Sequence, residues 1–526
     1  MTLANDGSRA RAAFLGVWPL AALTLLAAAL RFSTLDLQSF WYDEAFTPVH
    51  VLHPSLWATL RSVAHTENTP PLWYVIAWAD SRVFGTGEIA LRWPSALAGV
   101  AAVPVAWAIG RELSGRRATA IATAALVAVN PLAVWYSQEA RAYELFVLFA
   151  ALAMLCFLRA LRAPTAASMA AFALTGSLAL LSHYFAVFML VPMVIWLAWD
   201  RTRRRAALPA IGALGLVGVA LAPLISAQGG HGTQWIGQWA LTSRLQAIPQ
   251  YYLTDYYGAS LGHGIELLVA LPILAGLGYG LWRVLEPREE RGALIALTLA
   301  ACGILLPLVL VAFGADYLAP RNLVGAMLPV TALIAVVVAC RRAGPIGVAL
   351  LATSAIAFLA ISLDVDLSPR LQRGDWRGVA KELSPAVGAG RAGAGATRAG
   401  AGATRSGGAS PQAGVAARAI TTVELGAAPL EYYLPSLRYL APGESVTVSE
   451  IDETGYAPLR PGAGEPPAPG FRLYDRRDIN GLISYRFVSP VPRTVSEAVL
   501  RRHVITLAHP EVLVSPAPRS IGARGS

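Results

Sequence analysis

The chain has 526 residues, of which 55% are hydrophobic and 14% are charged, whereas soluble domains carry about 25% charged residues. Apolar runs of about 20 residues, long enough to cross the hydrocarbon core of a bilayer, recur through the first two thirds of the chain, which excludes a soluble globular protein and indicates a polytopic membrane protein. The net charge of +10 comes almost entirely from arginines, many of them in short loops, so it reports membrane topology and gives no indication of nucleic-acid binding.

We predict a polytopic α-helical fold with about eleven transmembrane helices. The first helix is expected to be retained, because it lacks the small-residue cleavage site of a signal peptide and further spans follow it. The predicted spans cover residues 12–30, 91–110, 117–134, 143–161, 166–182, 184–199, 207–225, 264–282, 292–314, 322–340 and 345–363.

Arginine clusters set the predicted orientation of these spans. They occur at every second connection, and the positive-inside rule assigns such connections to the cytoplasm. We therefore expect a multi-pass protein of the bacterial inner membrane, with a cytoplasmic N-terminus and a C-terminal tail outside. The clusters are Arg9/Arg11, Arg111/Arg116/Arg117, Arg159/Arg162, Arg201/Arg203/Arg204/Arg205, Arg283/Arg288/Arg291 and Arg341/Arg342.

The apolar segment of residues 70–85 is short and carries Asp80 and Arg82. Counting it as a span would place the arginine cluster of residues 111–117 outside, so we predict an interfacial helix within a long first outer loop. Pro70 and Pro71 suit the first turn of that helix, where a missing N–H costs little.

Residues 364–526 are predicted to form a small extracytoplasmic α/β domain after a transmembrane domain of residues 1–363. Its strand-like runs are ITTVEL, VTVSEI, FRLYDRR and ISYRF, and its helices are expected at DWRGVAKEL and APLEYYL. Residues 388–410 are a Gly/Ala-rich low-complexity insertion. The Pro- and Arg-rich end of the chain is expected to be disordered.

The stretch FWYDEAF places Asp43 and Glu44 side by side in the first outer loop. A carboxylate at the edge of a low-dielectric cavity can have a raised pKa and accept a proton from an incoming hydroxyl. The pair therefore predicts a general base with a supporting acid. The alternative is an interfacial aromatic belt whose acids face water.

Four more residues on the outer side are candidates for substrate binding. His65 and Glu67 lie in HTENTPPLWY, where a loop residue or a helix cap is the alternative for each. His183 and Tyr184 fall at a tight outer turn, where core packing or capping explains them equally well.

Arg141 and Arg321 stand at the outer ends of predicted spans, in SQEARAY and YLAPRNL. Outer arginines oppose the positive-inside trend, and a charge near the membrane is costly, so a partner is expected. Guanidinium groups form bidentate hydrogen bonds with phosphate oxygens, which predicts phosphate binding. For Arg141 the alternative is a local ion pair with Glu139.

Taken in order, the acid pair, ENTPPLWY, ALRWPSALAG, SQEARAY and YLAPRNL resemble motifs of the membrane-embedded GT-C glycosyltransferases. The nearest group is family 39, with the protein O-mannosyltransferases and the aminoarabinose lipid A transferases. The resemblance covers roughly residues 12–340 and implies transfer of a sugar, mannose or arabinose, from a polyprenyl-phosphate donor on the outer face of the membrane.

The resemblance also implies roles for individual residues. Asp43, with Glu44 adjacent, would be catalytic and would deprotonate the acceptor hydroxyl, while Arg141 and Arg321 stabilise the departing phosphate. One base and direct attack imply inversion at the anomeric carbon. The acceptor stays open among a protein, a glycan and a lipid.

The chain departs from the family pattern in its second outer loop. Where related enzymes often carry an acid, this sequence has Tyr143, with Glu139 and Glu144 to either side. Which of these residues binds substrate or supplies a second acid stays open, as does a divalent cation. A polytopic transporter or flippase for lipid-linked glycans is the alternative function, although no internal repeat stands out.

Overall fold

The computed structural model describes residues 3–230, 233–253, 278, 285–384, 416–503, 505–506 and 509–516. The chain forms two compact units. One comprises Met1–Leu37 and Val51–Leu371, and the other comprises Gln38–His50 and Gln372–Ser526. The first unit is helical, whereas the second is built on a six-stranded sheet.

The described helices are numbered in chain order. They are α1 (Leu3–Phe32), α2 (Tyr42–Phe46), α3 (Leu56–Thr66), α4 (Leu72–Phe84), α5 (Glu88–Ser114), α6 (Arg117–Val129), α7 (Pro131–Ser137), α8 (Tyr143–Arg162), α9 (Ala166–Ser182), α10 (Ala186–Trp199), α11 (Arg201–Gln228), α12 (Gln234–Gln238), α13 (Leu241–Leu253), α14 (Pro287–Ala312), α15 (Met327–Val338), α16 (Gly344–Leu367), α17 (Trp376–Leu383), α18 (Ala427–Tyr433) and α19 (Glu497–Arg502), with a π-helical turn at Thr47–Val51 and 3-10 turns at Pro320–Ala326 and Pro369–Leu371.

Six described segments are long and apolar enough to cross a membrane, namely α5, α8, α11, α14, Pro320–Val338 and α16. Helices α6 and α7, bent by 54° at their junction, make a seventh if the pair is one span. The apolar part of α1 (Trp18–Phe32), α9 and α10 are shorter. These helices confirm the predicted polytopic α-helical class. The predicted span 264–282 lies outside the described residues, so the count of eleven stays a prediction.

The bend between α6 and α7 has a local cause and a distant consequence. Pro131 opens α7 and disfavours helical backbone at Asn130, whose side chain caps the N–H of Ala133 at 3.1 Å. The break removes helical partners from the last carbonyls of α6. Arg31 of α1, fully buried, donates to the carbonyls of Val127 and Ala128 at 3.1 and 2.8 Å, and so satisfies them.

The helix predicted within residues 70–85 is present as α4, which begins directly after Pro71, and its interfacial position stays a prediction. Gly85 ends it with a positive φ of 81°, a conformation that costs glycine little. Ser55 caps the preceding helix α3 by accepting from the N–H of Ala58 at 3.0 Å. The segment between the π-helical turn and α5 therefore contains two well-delimited helices.

The second unit contains a mixed sheet with strand order β2-β6-β1-β3-β5-β4. Strands β1 and β3 are parallel, and the other neighbouring pairs are antiparallel. The strands are β1 (Ala416–Val423), β2 (Arg438–Tyr439), β3 (Ser445–Gly455), β4 (Arg472–Ile479), β5 (Leu482–Ser496) and β6 (Pro510–Pro516).

Two apolar clusters form the core of this unit. One contains Trp376 and Leu383 of α17 and Leu430 of α18, and the other contains Phe487 and Leu500. The predicted small α/β domain is thereby confirmed as a class. The expectation of a disordered end is wrong for residues 510–516, which form β6 between β1 and β2. Its pairing with β1 depends on partners far away in the sequence, which local composition does not reveal.

Candidate active site

A buried ion pair lies at the centre of a polar cluster in the helical unit. Arg141, in the turn between α7 and α8, places Nη2 3.0 Å from Oε2 of Glu67, the C-cap of α3. Both side chains are almost completely buried. This contact identifies Glu67 as an acidic partner of Arg141, which sequence reasoning did not predict.

Tyr74 of α4 completes this pair. Its hydroxyl donates to Glu67 Oε2 at 2.6 Å and lies 3.0 Å from the hydroxyl of Thr69. The Arg141 guanidinium lies 5.9 Å from the centre of the Tyr74 ring. Burial, more than any neighbouring charge, raises the pKa of Tyr74 well above its usual value, so the phenol stays a hydrogen-bond donor.

His183 lies between aromatic rings and two arginines. It stacks on Phe146 with a centroid distance of 4.9 Å and lies 5.9 Å from the Tyr143 ring. Burial, followed by the positive charges of Arg321 and Arg141, lowers the pKa of His183 to about 3, and the imidazole is neutral. Both predicted phosphate-binding arginines are therefore close enough to His183 to affect its electrostatics.

Arg321 reaches this region from the 3-10 turn Pro320–Ala326. Its guanidinium lies 4.7 Å from the centre of the Trp235 ring. Arg141 and Arg321 thus come from segments far apart in sequence. Two guanidinium groups together are suited to binding a doubly charged phosphate group.

Tyr184 is linked to the cluster through Gln228. Its hydroxyl donates to Gln228 Oε1 at 2.6 Å, and Gln228 in turn donates to the carbonyls of Val63 and Thr69, each at 3.0 Å. This chain of hydrogen bonds holds the segment on either side of Glu67. Tyr184 therefore lies one layer away from the ion pair.

Glu139 and Glu144, which flank the departure from the family pattern, have different surroundings. Both side chains are almost completely buried. Glu144 interacts electrostatically with Arg31 inside the helix bundle. The carbonyl of Glu139 accepts a hydrogen bond from the N–H of Arg141 at 2.8 Å, which keeps Glu139 beside the phosphate-binding candidate.

Asp43 and Glu44 belong to the second unit, where they lie in α2. Asp43 is partly buried and Glu44 fully buried. Hydrogen bonds hold the segment around them: the N–H of Phe40 donates to the Tyr433 hydroxyl at 2.8 Å, and His50 Nε2 lies 3.2 Å from Glu431. The acid pair is therefore part of an ordered element.

Of the other predicted site residues, Tyr143 packs on Tyr136 with a centroid distance of 4.8 Å, whereas His65 is exposed in the last turn of α3. In the part of the chain that the structure describes, no group of three or more His, Cys, Asp or Glu side chains is placed to hold a metal ion.

Sequence reasoning missed two residues of this cluster, Tyr74 and Trp235. Tyr74 and Trp235 contact the two arginines, and Tyr251 donates from its hydroxyl to that of Tyr136 at 2.9 Å. The motif ENTPPLWY contained Tyr74 and could have indicated it. Nothing in the local sequence of Trp235 distinguishes it from other interfacial tryptophans.

Comparisons with known proteins agree with this architecture. Residues 68–226 match the family model of dolichyl-phosphate-mannose-protein mannosyltransferases. This segment begins one residue after Glu67 and contains Tyr74, Arg141 and His183. No curated protein sequence matches the chain significantly.

Among solved structures, ArnT from Cupriavidus metallidurans bound to undecaprenyl phosphate is similar, with a TM-score of 0.54 and 13% identity over 90% of this chain and 98% of that one. The apo state of the same protein gives a TM-score of 0.52 at 13% identity, with the same coverage. The oligosaccharyltransferase AglB from Archaeoglobus fulgidus gives a TM-score of 0.44 at 14% identity, over 71% of this chain and 59% of that one, which is too low to carry an argument.

The predicted resemblance to the GT-C glycosyltransferases is thus confirmed: the chain has an ArnT-like fold, and residues 68–226 of its helical unit match the family model of the mannosyltransferases. Its long apolar helices make the protein a multi-pass membrane protein. Neither comparison supports the transporter alternative.

Proposed function

We propose that the enzyme moves a sugar from a polyprenyl-phosphate donor to an acceptor hydroxyl on the outer face of the bacterial inner membrane. The observation that carries this proposal is the buried Arg141 guanidinium, which Glu67 holds at 3.0 Å, in the segment that matches the mannosyltransferase family model. The similar ArnT structure, bound to undecaprenyl phosphate, supports a donor of this chemical class.

Arg141 and Arg321 bind the donor phosphate in this proposal. As the bond between the anomeric carbon and the phosphate oxygen breaks, negative charge grows on the phosphate, and fixed guanidinium groups stabilise that charge. Glu67 and Tyr74 hold Arg141 in place, so little reorganisation accompanies the reaction. The neutral imidazole of His183 and the ring of Tyr143 line the same cluster as binding groups.

Asp43 is the proposed general base, with Glu44 adjacent. The acceptor oxygen attacks the anomeric carbon, its proton passes to the Asp43 carboxylate, and the polyprenyl phosphate leaves on the opposite side, which inverts the anomeric configuration. The acid pair in the FWYDEAF motif supports this role. Glu139 and His65 are proposed as outer substrate contacts, and no step is derived through a cation.

The proposed domain roles follow from the same scheme. Residues 1–363 form the catalytic transmembrane domain, and residues 364–526 form an extracytoplasmic domain. The alternating arginine clusters support this orientation. Labelling of single cysteines by a membrane-impermeant maleimide in intact spheroplasts tests it: a cysteine at exposed Tyr474 should react, and one at Arg204 should react only after lysis.

The function is tested by sugar transfer from radiolabelled undecaprenyl-phosphate sugars in membranes containing the wild type, R141A or R321A. We expect transfer by the wild type from at least one pentose or hexose donor and a loss of about 100-fold or more in each variant. Full activity of both variants would reject the phosphate-binding role. Failure of the wild type with every donor would reject the lipid-linked donor.

A further inference from the structure

Helix α13, which follows α11 and α12 in the chain, contacts residues on both sides of Arg321. Arg244 of α13 forms a bidentate pair with Asp316, with N–O distances of 2.6 and 2.8 Å, and also donates to the carbonyl of Leu318 at 3.0 Å. Further along the same helix, the Tyr252 hydroxyl donates to the carbonyl of Leu323 at 2.5 Å. Residues on both sides of Arg321 are therefore fixed by one outer segment.

Trp235 of α12 contacts Arg321 itself. The guanidinium carbon lies 4.7 Å from the centre of the indole ring, well within the range of a cation–π interaction, for which tryptophan is the strongest partner. The Trp235 ring is 36% exposed, so apolar burial alone does not explain its position.

We propose that Trp235 is a positioning residue for Arg321, and that the segment formed by α12 and α13 must dock on residues 316–323 for the donor phosphate to bind tightly. This inference rests on the proposed function, because it assigns a support to one of the two proposed phosphate ligands. It assigns no contact between Trp235 and the substrate.

Glu67 and Trp235 affect a neighbouring guanidinium in different ways, and this difference supports a positioning role for Trp235. A carboxylate partner, such as Glu67 beside Arg141, neutralises a guanidinium charge, whereas an aromatic ring holds the flat face of the group and leaves its charge intact. The N–H donors lie in the plane of the guanidinium, so a ring on the face does not compete for the hydrogen bonds that a phosphate needs. Trp235 therefore orients the Arg321 guanidinium without itself taking up the N–H donors of that group.

The test uses the full-length protein and measures the Kd for undecaprenyl phosphate together with KM and kcat for the sugar donor. W235F keeps an aromatic face, whereas W235L keeps apolar bulk without one. We expect W235L to weaken binding and raise KM about 3- to 10-fold with little change in kcat, and W235F to retain most of the affinity. The control W239A removes a tryptophan of the same segment that is 62% exposed, and should change neither constant.

A double-mutant cycle separates positioning from direct contact. If Trp235 acts through Arg321, W235L should cause no further loss in an R321A background. An equal loss in both backgrounds, or equal effects of W235L and W239A, would overturn the inference. If R321A itself leaves the Kd unchanged, the proposed phosphate role of Arg321 fails instead, and the two failures are distinguished.

Discussion

Arg141 and Glu67 are 74 positions apart in sequence, yet Nη2 of the arginine lies 3.0 Å from Oε2 of the glutamate in a nearly water-free environment. The pair ties the end of α3 to the turn before α8. A buried ion pair contributes little net stability compared with apolar packing, but loss of one partner leaves an uncompensated charge. The pair is therefore best explained as a device that fixes a guanidinium where the proposed chemistry needs it.

Replacing Glu67 should destabilise the protein more than replacing both partners. We expect E67A to lower the free energy of unfolding by about 3 kcal/mol, because Arg141 would stay buried without a counter-charge. The E67A/R141A variant should recover part of that loss and still transfer no sugar. Thermal unfolding in detergent and the transfer assay measure the two effects, and a double variant that is no more stable than E67A would contradict the explanation.

Removing the Tyr74 hydroxyl should destabilise the protein less than removing Glu67 does. Y74F deletes the 2.6 Å hydrogen bond to Glu67, and bonds to charged groups contribute about 1.5–3 kcal/mol. We expect a fall in stability of that order and a several-fold rise in KM for the donor. Tyr317, whose side chain is 43% exposed, provides the control: Y317F should match the wild type. If Y74F and Y317F had equal stability and KM, the Tyr74 hydroxyl would not support the Arg141–Glu67 pair.

Local sequence patterns predicted much of this architecture. Apolar length identified α5, α8 and α16 within a few residues, because helix length in a bilayer is dictated by its thickness. Pro70 and Pro71 predicted where α4 begins, but they precede its first turn, with Pro71 at the N-cap.

Long-range pairings could not be predicted from one sequence. Glu67 was expected near the site, but its bond to Arg141 depends on how α3 and α7 pack. The anchoring of residues 38–50 through Phe40 to Tyr433 joins segments 393 positions apart, and no local pattern indicates it. The motif around Asp43 therefore indicated a candidate chemistry but not the unit to which Asp43 belongs.

Asp43→Asn should abolish transfer without weakening donor binding. A general base contributes about 100- to 10,000-fold to the rate, and the amide is nearly isosteric but cannot accept the proton. We expect a kcat at least about 100-fold lower with an unchanged Kd for undecaprenyl phosphate. The neighbour variant E44Q, at a fully buried position, should lower stability more than D43N does. Full turnover by D43N would assign the base to another residue.

Gly325→Ala should disturb the aromatic support of His183. A Cβ at this position would lie 2.3 Å from Cζ of Phe146, the ring that stacks on the imidazole at 4.9 Å. Overpacking of this kind typically costs about 1–3 kcal/mol, and we expect G325A to lose stability and donor affinity together. G212A in α11, where nothing lies within 4 Å of the added Cβ, is the matched control and should be at least as stable as the wild type. A fully active, stable G325A would show that Phe146 can move freely.

Glu453 should make the second unit less stable as pH rises. Burial raises the pKa of this carboxyl from 4.5 to about 9, so the folded unit holds a proton that the unfolded chain releases. The stability that protonated Glu453 adds to the folded unit is fully present below about pH 4.5. It declines between the two pKa values and is lost above about pH 9. We expect the wild type to lose stability relative to E453Q as pH rises from 5 to 9, because glutamine does not titrate. Pulse proteolysis in urea, with fragments of the second unit followed in the full-length protein, measures this difference at each pH, and E453Q corrects for the pH dependence of the protease and of Asp452. If the stability of the wild type and of E453Q changed with pH in the same way, ionisation of Glu453 would not destabilise the folded unit.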